Sequence, residues 1–318
     1  MRYLSTTIFA TTMLSSATIS AQADVYVVTS IKPIHSLVSA VMQGVGEPSL
    51  LIDGAGSPHN YSLKPSQAKE LQKANLIFWI GHDLEAFLES SIENIAPQAV
   101  SVPLMKSHGI KTLPFREGAS FDAHDHDHDK HEEHDHDKHE EHDHGEFDPH
   151  VWLDPNNAKI LVAEIEEQLT KVYPKHADAF ANNANTITKE IDALIDEINI
   201  ELTDVKSKGY IVFHDAYQYF ERRFDMSAVG SVTVSPEVMP GANRIRKLQQ
   251  KVKRLEAICV FSEPQFEPKL VSTITENTRA GSGVLDPLGA AIEKGPQLYF
   301  KLIRNMALSL KECLTKHG

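Results

Sequence analysis

The feature that most constrains the fold is a long apolar stripe in the middle of the chain. Its eight members recur at gaps of three and four residues: Ala177, Phe180, Ala184, Ile187, Ile191, Leu194, Ile198 and Leu202. That spacing is the period of a helix, and residues 175–208 contain neither proline nor glycine. About 30 helical residues at 1.5 Å each span roughly 45 Å, which is longer than one small domain. The stripe therefore predicts one bridging helix over residues 174–208, with a lobe on either side.

Strand and helix patterns alternate on both sides of this helix. Short apolar, β-branched runs lie at 25–29, 50–52, 76–80 and 100–104 before it and at 210–213, 227–234, 258–261 and 283–285 after it. Helical patterns separate these runs, and such alternation is typical of a parallel sheet with helices on its faces. We expect an α/β fold with an N-terminal lobe over residues 24–173 and a C-terminal lobe over residues 209–318. Ligands of such folds bind at the carboxyl ends of strands and between domains.

A segment at residues 121–146 consists almost wholly of His, Asp, Glu and Lys, and it contains the octapeptide HDHDKHEE twice in tandem. It has too few apolar residues to offset the entropy of ordering, so we expect a disordered loop. Clustered imidazoles and carboxylates bind borderline divalent cations, which predicts weak auxiliary metal sites. The histidines of this segment are His124, His126, His128, His131, His134, His136, His139, His142 and His144. The alternative is a charged, solvated insertion with no binding role.

The charge of the chain points to cations as partners. The formal net charge is −13, and the acidic histidine segment (residues 121–146) accounts for −10 of it. There is no basic stripe with interleaved aromatic residues, so nucleic-acid binding is not expected.

The N-terminus has the pattern of an export signal over residues 1–23. Arg2 precedes a mildly apolar run, and Ala21-Gln22-Ala23 has the small-residue pattern of a signal-peptidase site. We expect cleavage between Ala23 and Asp24 and a periplasmic mature protein. No later apolar run reaches the ~18 residues of a membrane span. The chain has two cysteines, Cys259 and Cys313, which in an exported protein predict one disulfide. Two buried free thiols are the alternative.

Four potential metal ligands lie in loops or just past predicted strands. His59 and His150 belong to the first lobe, and His214 and Asp286 belong to the second. Three imidazoles and one carboxylate that face each other across a cleft would make a tetrahedral site suited to Zn²⁺. Each residue alone is weak evidence, because a histidine after a strand is commonly an ordinary hydrogen-bonded loop residue.

Three further residues are weaker candidates. For His35 and His82 we favour packing or surface roles over a place at the site. Glu263 ends a predicted strand, and two roles stay open for it: support of a metal ligand, or capping of the lobe interface.

Five motifs occur in order along the chain, and together they resemble a known family. They are GAGSPHNY at 54–61, DPHVWLDP at 148–155, FHDAY at 213–217, SEPQ at 262–265 and LDPLG at 285–289. This set is similar to the solute-binding proteins of ABC transporters for zinc and manganese, specifically the zinc-uptake (ZnuA-type) branch. The resemblance covers nearly all of the mature chain. A His-rich insertion between the first two metal histidines is itself typical of the zinc branch.

The resemblance implies two (β/α) lobes bridged by a long helix, with His59, His150 and His214 as metal ligands. Manganese relatives usually carry Glu where this chain has His214, and a third nitrogen ligand favours Zn²⁺ over the harder Mn²⁺. Some zinc-branch members supply a further ligand from a Glu directly before the first histidine. Here that position is Pro58, which has no donor. The fourth position then falls to Asp286 or to a water, and we favour Asp286.

The predicted function is therefore a periplasmic, high-affinity zinc-binding protein without catalytic activity. The resemblance implies that it delivers Zn²⁺ to an ABC permease and its ATPase, and we expect a monomer. A manganese- or iron-binding protein on the same fold, or a metal buffer or adhesin without a permease, are alternatives. A zinc hydrolase is a third alternative, and it is disfavoured because the chain has neither an HExxH nor a GxSxG motif.

Overall fold

Two parallel sheets form the frame of the molecule. The computed structural model describes residues 25–116, 146–233, 241–254, 258–266 and 269–318, so the expected signal peptide and all nine histidines of the acidic segment lie outside the described residues. The first sheet, in the order β2-β1-β3-β4, contains β1 Val27–Ile31, β2 Ser49–Ile52, β3 Leu76–Trp79 and β4 Val100–Pro103. The second, in the order β6-β5-β7-β8, contains β5 Tyr210–Val212, β6 Ala228–Ser231, β7 Cys259–Ser262 and β8 Gly281–Val284. The predicted α/β fold class is confirmed.

Helices connect and cover the strands. Their bounds are α1 Lys32–Val41, α2 Pro65–Lys73, α3 Ala86–Ile95, α4 Pro155–Val172, α5 Ala177–Glu201, α6 Gln218–Phe224, α7 Ala242–Arg254, α8 Lys269–Thr275 and α9 Leu298–His317. Helices α1, α2 and α4 each have a proline in the first turn, where the missing N–H costs no hydrogen bond. Asp154 caps α4 by accepting the backbone N–H of Asn156 at 2.8 Å. No described helix combines the length and the apolar character that a membrane crossing requires.

The two sheets share one topology, and this decides where a site can lie. In each sheet the first strand along the chain pairs with the second on one side and with the third on the other. The connections leave such a strand in opposite directions, which opens a crevice at the carboxyl ends of the strands. His214 follows β5, Glu263 follows β7 and Asp286 follows β8 at this end of the second sheet.

The long helix is shorter than the sequence predicts. The chain from 174 to 205 folds as a 3₁₀ turn at Pro174–His176, helix α5, and a second 3₁₀ turn at Thr203–Val205. The 25 residues of α5 span about 37 Å. The apolar stripe is buried from Phe180 to Ile198, as predicted. Helix α5 packs against α1 and α4, which precede it in the chain, and against α9, which follows it. It therefore contacts elements of both halves.

One apolar core runs through both halves of the molecule. Phe78 of β3, Leu194 of α5 and Phe261 of β7 belong to a single buried cluster, and a smaller cluster lies beneath α7 and α8. Polar contacts join the halves as well. The Lys32 ammonium donates to the carbonyl oxygens of Ala290 and Ile292, at 3.1 and 2.6 Å. The lobes are therefore held as one packed body.

A disulfide ties the C-terminal helix to the second sheet. Cys259 of β7 and Cys313 of α9 are bonded across a sequence separation of 54 residues. This is the pairing that the sequence predicts.

Candidate metal centre

His59 comes from a short turn in the loop that follows β2. A 3₁₀ turn at Pro58–Asn60 carries it, with Pro58 in the first turn. Gly54 enters the loop at φ +77°, a conformation that favours glycine. The His59 side chain is only partly buried. It is thus the most accessible of the three site histidines.

His150 is positioned by an aspartate two residues before it. The Asp148 Oδ1 atom accepts the His150 backbone N–H at 2.9 Å and lies 2.6 Å from the ring Nδ1 atom. Both residues are almost completely buried. Gln218 donates to the other oxygen, Oδ2, at 2.7 Å. With Nδ1 held by a carboxylate, Nε2 is the ring nitrogen that remains for a metal.

His214 has the same arrangement in the second lobe. It follows β5, and its Nδ1 atom lies 2.6 Å from Oε1 of Glu263, which follows the neighbouring strand β7. His214 and Glu263 are 5% and 3% exposed. Adjacent parallel strands therefore bring a ligand and its supporting carboxylate to one edge of the sheet.

The three imidazoles meet at one point. Their ring centroids are 5.4 Å apart for His59 and His150, 5.9 Å for His59 and His214, and 5.2 Å for His150 and His214. One nitrogen from each ring lies within 4.8 Å of the other two, and the Nε2 atoms of His150 and His214 are 3.4 Å apart. A cation bonded to nitrogens at about 2.0–2.1 Å fits a triangle of this size.

Burial and charge give the two buried rings different proton affinities. Burial lowers the pKa of His150 well below its ordinary value, and charge on His214 lowers it further. Burial also disfavours protonated His214, but the charge and hydrogen bond of Glu263 outweigh this effect and raise its pKa. Burial raises the pKa of Asp148 to about 7. Protons therefore compete with a metal chiefly at His214.

Asp286 does not join the three histidines. Among the described residues, the group of potential metal ligands at the site contains His59, His150 and His214 and no carboxylate. The Asp286 carboxylate instead accepts the backbone N–H groups of Leu288, Gly289 and Ala290, at 3.2, 2.9 and 2.6 Å. The sequence suggested a ligand here because Asp286 follows a strand. In the structure this carboxylate closes the turn that contains Pro287, and its assignment as the fourth ligand stays a prediction.

Trp152 lies at the site, whereas the weaker candidates His35 and His82 lie away from it. Trp152 lines the cavity in front of the histidines, and its indole N–H donates to the Pro287 carbonyl at 2.9 Å. His35 is buried elsewhere, with Nε2 3.1 Å from the Pro48 carbonyl oxygen. His82 is exposed and pairs with Glu89.

The described residues that flank the acidic histidine segment lie near this site. Pro114 and Phe147 form an antiparallel bridge just outside its two ends. Arg116, the last described residue before the segment, forms ion pairs with Asp215 and Glu221. Asp215 directly follows His214, so Arg116 lies next to a candidate ligand.

Two functional positions were not assigned from sequence. Asp148 stands in the DPH motif, and an aspartate that accepts the N–H two residues on is a recognised turn pattern, so this role had a local signal. Arg116 had none, because its partners lie 99 and 105 residues away. Of the two roles left open for Glu263, the structure shows the support of His214.

A family model described as zinc-uptake complex component A, periplasmic (ZnuA), matches residues 27–313. The chain belongs to this family. The high-affinity zinc uptake system protein ZnuA of Brucella suis is 53% identical over 306 residues, which cover 91% of this chain and 92% of that protein. The ZnuA protein of Yersinia pestis is 33% identical over 315 residues, with 95% and 96% covered.

Solved structures share the fold. A crystal structure of ZnuA aligns with a TM-score of 0.75 at 23% identity, covering 91% of this chain and 99% of that one. The Mn-bound periplasmic metal-binding protein of Candidatus Liberibacter asiaticus aligns with a TM-score of 0.72 at 18% identity, covering 92% and 100%. At these identities the likeness establishes the α/β architecture alone.

Proposed function

We propose that this protein is the periplasmic zinc-binding component of an ABC importer, and that it holds one Zn²⁺ at His59, His150 and His214. The observation that carries the proposal is the convergence of three imidazole nitrogens, from both halves of the chain, within 4.8 Å of one another. Imidazole donors suit Zn²⁺ better than Mn²⁺. The two buried carboxylates that face His150 and His214 favour a divalent cation between the rings.

The activity is binding and release, with no bond made or broken in a substrate. The protein would pass Zn²⁺ to a permease whose ATPase drives transport, acting as a monomer. Membership of the ZnuA family supports this assignment. We further propose export by the signal peptide at residues 1–23, and lobe boundaries at 24–173 and 209–318 with the connecting segment at 174–208.

The test is a competition titration of the purified protein with Zn²⁺ and Mn²⁺. We expect Zn²⁺ to bind one high-affinity site and to displace Mn²⁺. His150→Ala should abolish this site, whereas His82→Ala, which removes an exposed histidine, should leave it unchanged. Equal affinity for the two metals would favour the manganese hypothesis. Zinc binding that survives His150→Ala would contradict the site.

The acidic histidine segment supports a second, auxiliary role. We propose that its nine histidines bind Zn²⁺ weakly and raise its concentration near the site. The anchoring of Arg116 beside His214 supports such a location. Deletion of residues 121–146 should lower the number of zinc ions bound while keeping the high-affinity site. Unchanged stoichiometry after the deletion would contradict the auxiliary role.

A further inference from the structure

Two aromatic rings line the wall of the metal cavity, each beside a buried histidine. Between ring centroids, Trp152 lies 5.3 Å from His150, and Phe266 lies 6.1 Å from His214. Both aromatic residues line the cavity that contains the three histidines. Each half of the chain therefore contributes one buried histidine together with a bulky apolar side chain next to it.

Phe266 is held in place by a turn and by ring stacking. It follows β7, and its backbone N–H donates to the Glu263 carbonyl oxygen at 3.2 Å. Its ring stacks on Phe213, with centroids 4.6 Å apart and planes 7° apart. Phe213 is 2% exposed and directly precedes His214. The packing of the second lobe thus keeps the Phe266 ring beside its histidine.

Trp152 is fixed by hydrogen bonds to the second half of the chain. Its indole N–H donates to the Pro287 carbonyl oxygen at 2.9 Å, and its own carbonyl oxygen accepts the Tyr299 hydroxyl at 2.9 Å. Its side chain is fully buried. Neither aromatic ring can move away from the cavity without the loss of these contacts.

The cavity in front of the histidines is very small. Its free space is about 10 Å³, which is the room of about one water-sized molecule. Three histidines on one face of an ion leave the opposite face for every further ligand. A tetrahedral ion needs one ligand on that face, whereas an octahedral ion needs three. The cavity therefore fits the tetrahedral arrangement and excludes the octahedral one.

The nitrogen donors alone do not select Zn²⁺ from all competing metals. Imidazole suits Ni²⁺ as well as Zn²⁺, and in the usual order of affinities Ni²⁺ follows directly below Cu²⁺. The metals differ in geometry, because Zn²⁺ accepts four ligands in a tetrahedron, whereas Ni²⁺ and Mn²⁺ prefer tetragonal or octahedral surroundings. A wall that limits the number of ligands would therefore discriminate where the donors do not.

We propose that Phe266 is a specificity-determining residue, whose ring, together with that of Trp152, excludes the additional ligands that Ni²⁺ and Mn²⁺ require. This inference rests on the three-histidine site of the proposed function. Phe266 does not bind the metal. It acts on the competing ions through the space that it fills, and the four-coordinate Zn²⁺ is accommodated.

The first experiment measures the geometry of the bound ion with Co²⁺. Four-coordinate Co²⁺ absorbs visible light far more strongly than six-coordinate Co²⁺. The intact protein receives less than one equivalent of Co²⁺, so that the tightest site fills first. We expect a strong visible band for the wild type and a much weaker band for Phe266→Ala. A weak band in the wild type would overturn the proposal.

The second experiment measures selectivity by competition between Ni²⁺ and Zn²⁺. Phe266→Ala should raise the ratio of Ni²⁺ affinity to Zn²⁺ affinity by about tenfold, the lower end of the range for residues around a metal site. Phe266→Leu, the matched control, keeps most of the apolar bulk and should keep the wild-type ratio. If Phe266→Ala weakens both metals by the same factor, the ring acts only through packing, and the proposal is wrong.

The proposed function and this inference can fail separately. If His150→Ala leaves tight Zn²⁺ binding intact, the three-histidine site is wrong, and the role of Phe266 fails with it. If His150→Ala abolishes tight Zn²⁺ binding but Phe266→Ala keeps the wild-type ratio, only the role of Phe266 fails. Should Phe266→Ala not fold, Phe266→Val and the Co²⁺ spectrum of the wild type still decide the question.

Discussion

At the scale of residues, the site depends on two carboxylates as much as on its imidazoles. Asp148 and Glu263 come from opposite halves of the chain, and each lies 2.6 Å from Nδ1 of one buried histidine. A carboxylate in this position fixes the ring orientation and makes the far nitrogen a better metal donor. Each lobe thus orients its buried histidine with a carboxylate. In the first lobe this is Asp148, two residues before His150, and in the second it is Glu263, which follows the strand next to that of His214.

Glu85 is a buried carboxylate away from the site, and it should make stability depend on pH. Glu85 directly precedes α3, and its carboxylate accepts the backbone N–H groups of Ile80 and Gly81, at 2.9 and 3.0 Å. Burial raises its pKa from 4.5 to about 7. The folded state therefore keeps its proton at pH values where the unfolded chain has lost it, and Glu85 should cost stability as pH rises from about 5 to 8.

The check is Glu85→Gln, which keeps an acceptor for both N–H groups. We expect urea unfolding to show a smaller loss of stability between pH 5 and 8 in the variant, by up to about 3 kcal/mol. Glu93→Gln, an exposed change on the same helix, is the control. Identical pH slopes for the wild type and Glu85→Gln would contradict the prediction.

At the scale of elements, the disulfide fastens α9 to β7. It closes a loop with a sequence separation of 54 residues. In the chain-entropy model a loop of that length contributes roughly 4 kcal/mol by restricting the unfolded chain. We expect the double variant Cys259→Ala, Cys313→Ala to lose about that much in chemical unfolding, and to become insensitive to added reductant. A reductant effect of equal size in both proteins would contradict this origin.

Helix α5 offers a matched pair of apolar side chains for testing its packing. Leu194 is fully buried, whereas Ile200 on the same helix is 77% exposed. Leu194→Ala should cost about 2–5 kcal/mol of unfolding free energy, because it leaves a cavity in the continuous core. Ile200→Ala should cost less than about 1 kcal/mol. Similar losses for the two variants would show that α5 does not pack as described.

The sequence predicts the elements well and their ends poorly, for a physical reason. Helix periodicity places the buried stripe of α5 correctly because burial repeats with the backbone. It does not show where α-helical geometry gives way to 3₁₀ turns, since Pro174 and Thr203 differ little in apolar pattern from their neighbours.

At the scale of the whole molecule, zinc binding and proton binding should oppose each other. Metal binding requires His214 without a proton on its ligating nitrogen, and Glu263 raises the pKa of this ring above its ordinary value of 6.5. Zinc affinity should therefore fall as pH drops through the neutral range, by about tenfold per unit once His214 is protonated. Chelator competition from pH 7.5 to 5 measures this. An affinity that stays constant across that range would contradict an imidazole site.

The site was predictable as a set of motifs, and its detailed chemistry was not. His59, His150 and His214 stand in motifs that suffice to place them together, although 155 positions of chain separate the first from the last. The fourth position depends on side-chain directions that no spacing reveals. Asp286 stands in a motif as plausible as those of the histidines, and only its hydrogen bonds show that its carboxylate closes a turn.

The contacts of Lys32 have a consequence for how the cargo leaves. The Lys32 ammonium donates to two carbonyl oxygens of the C-terminal half, and one apolar core joins the two halves. A rigid-body opening of the lobes would break these hydrogen bonds and expose apolar surface, so it would cost free energy. The loop that bears His59 is the one ligand-bearing part that is not deeply buried. We expect stopped-flow zinc release to respond to changes in this loop far more than to Lys32→Met, and the reverse order would contradict the expectation. Zinc release would then require movement of the His59 loop while the two lobes stay packed together.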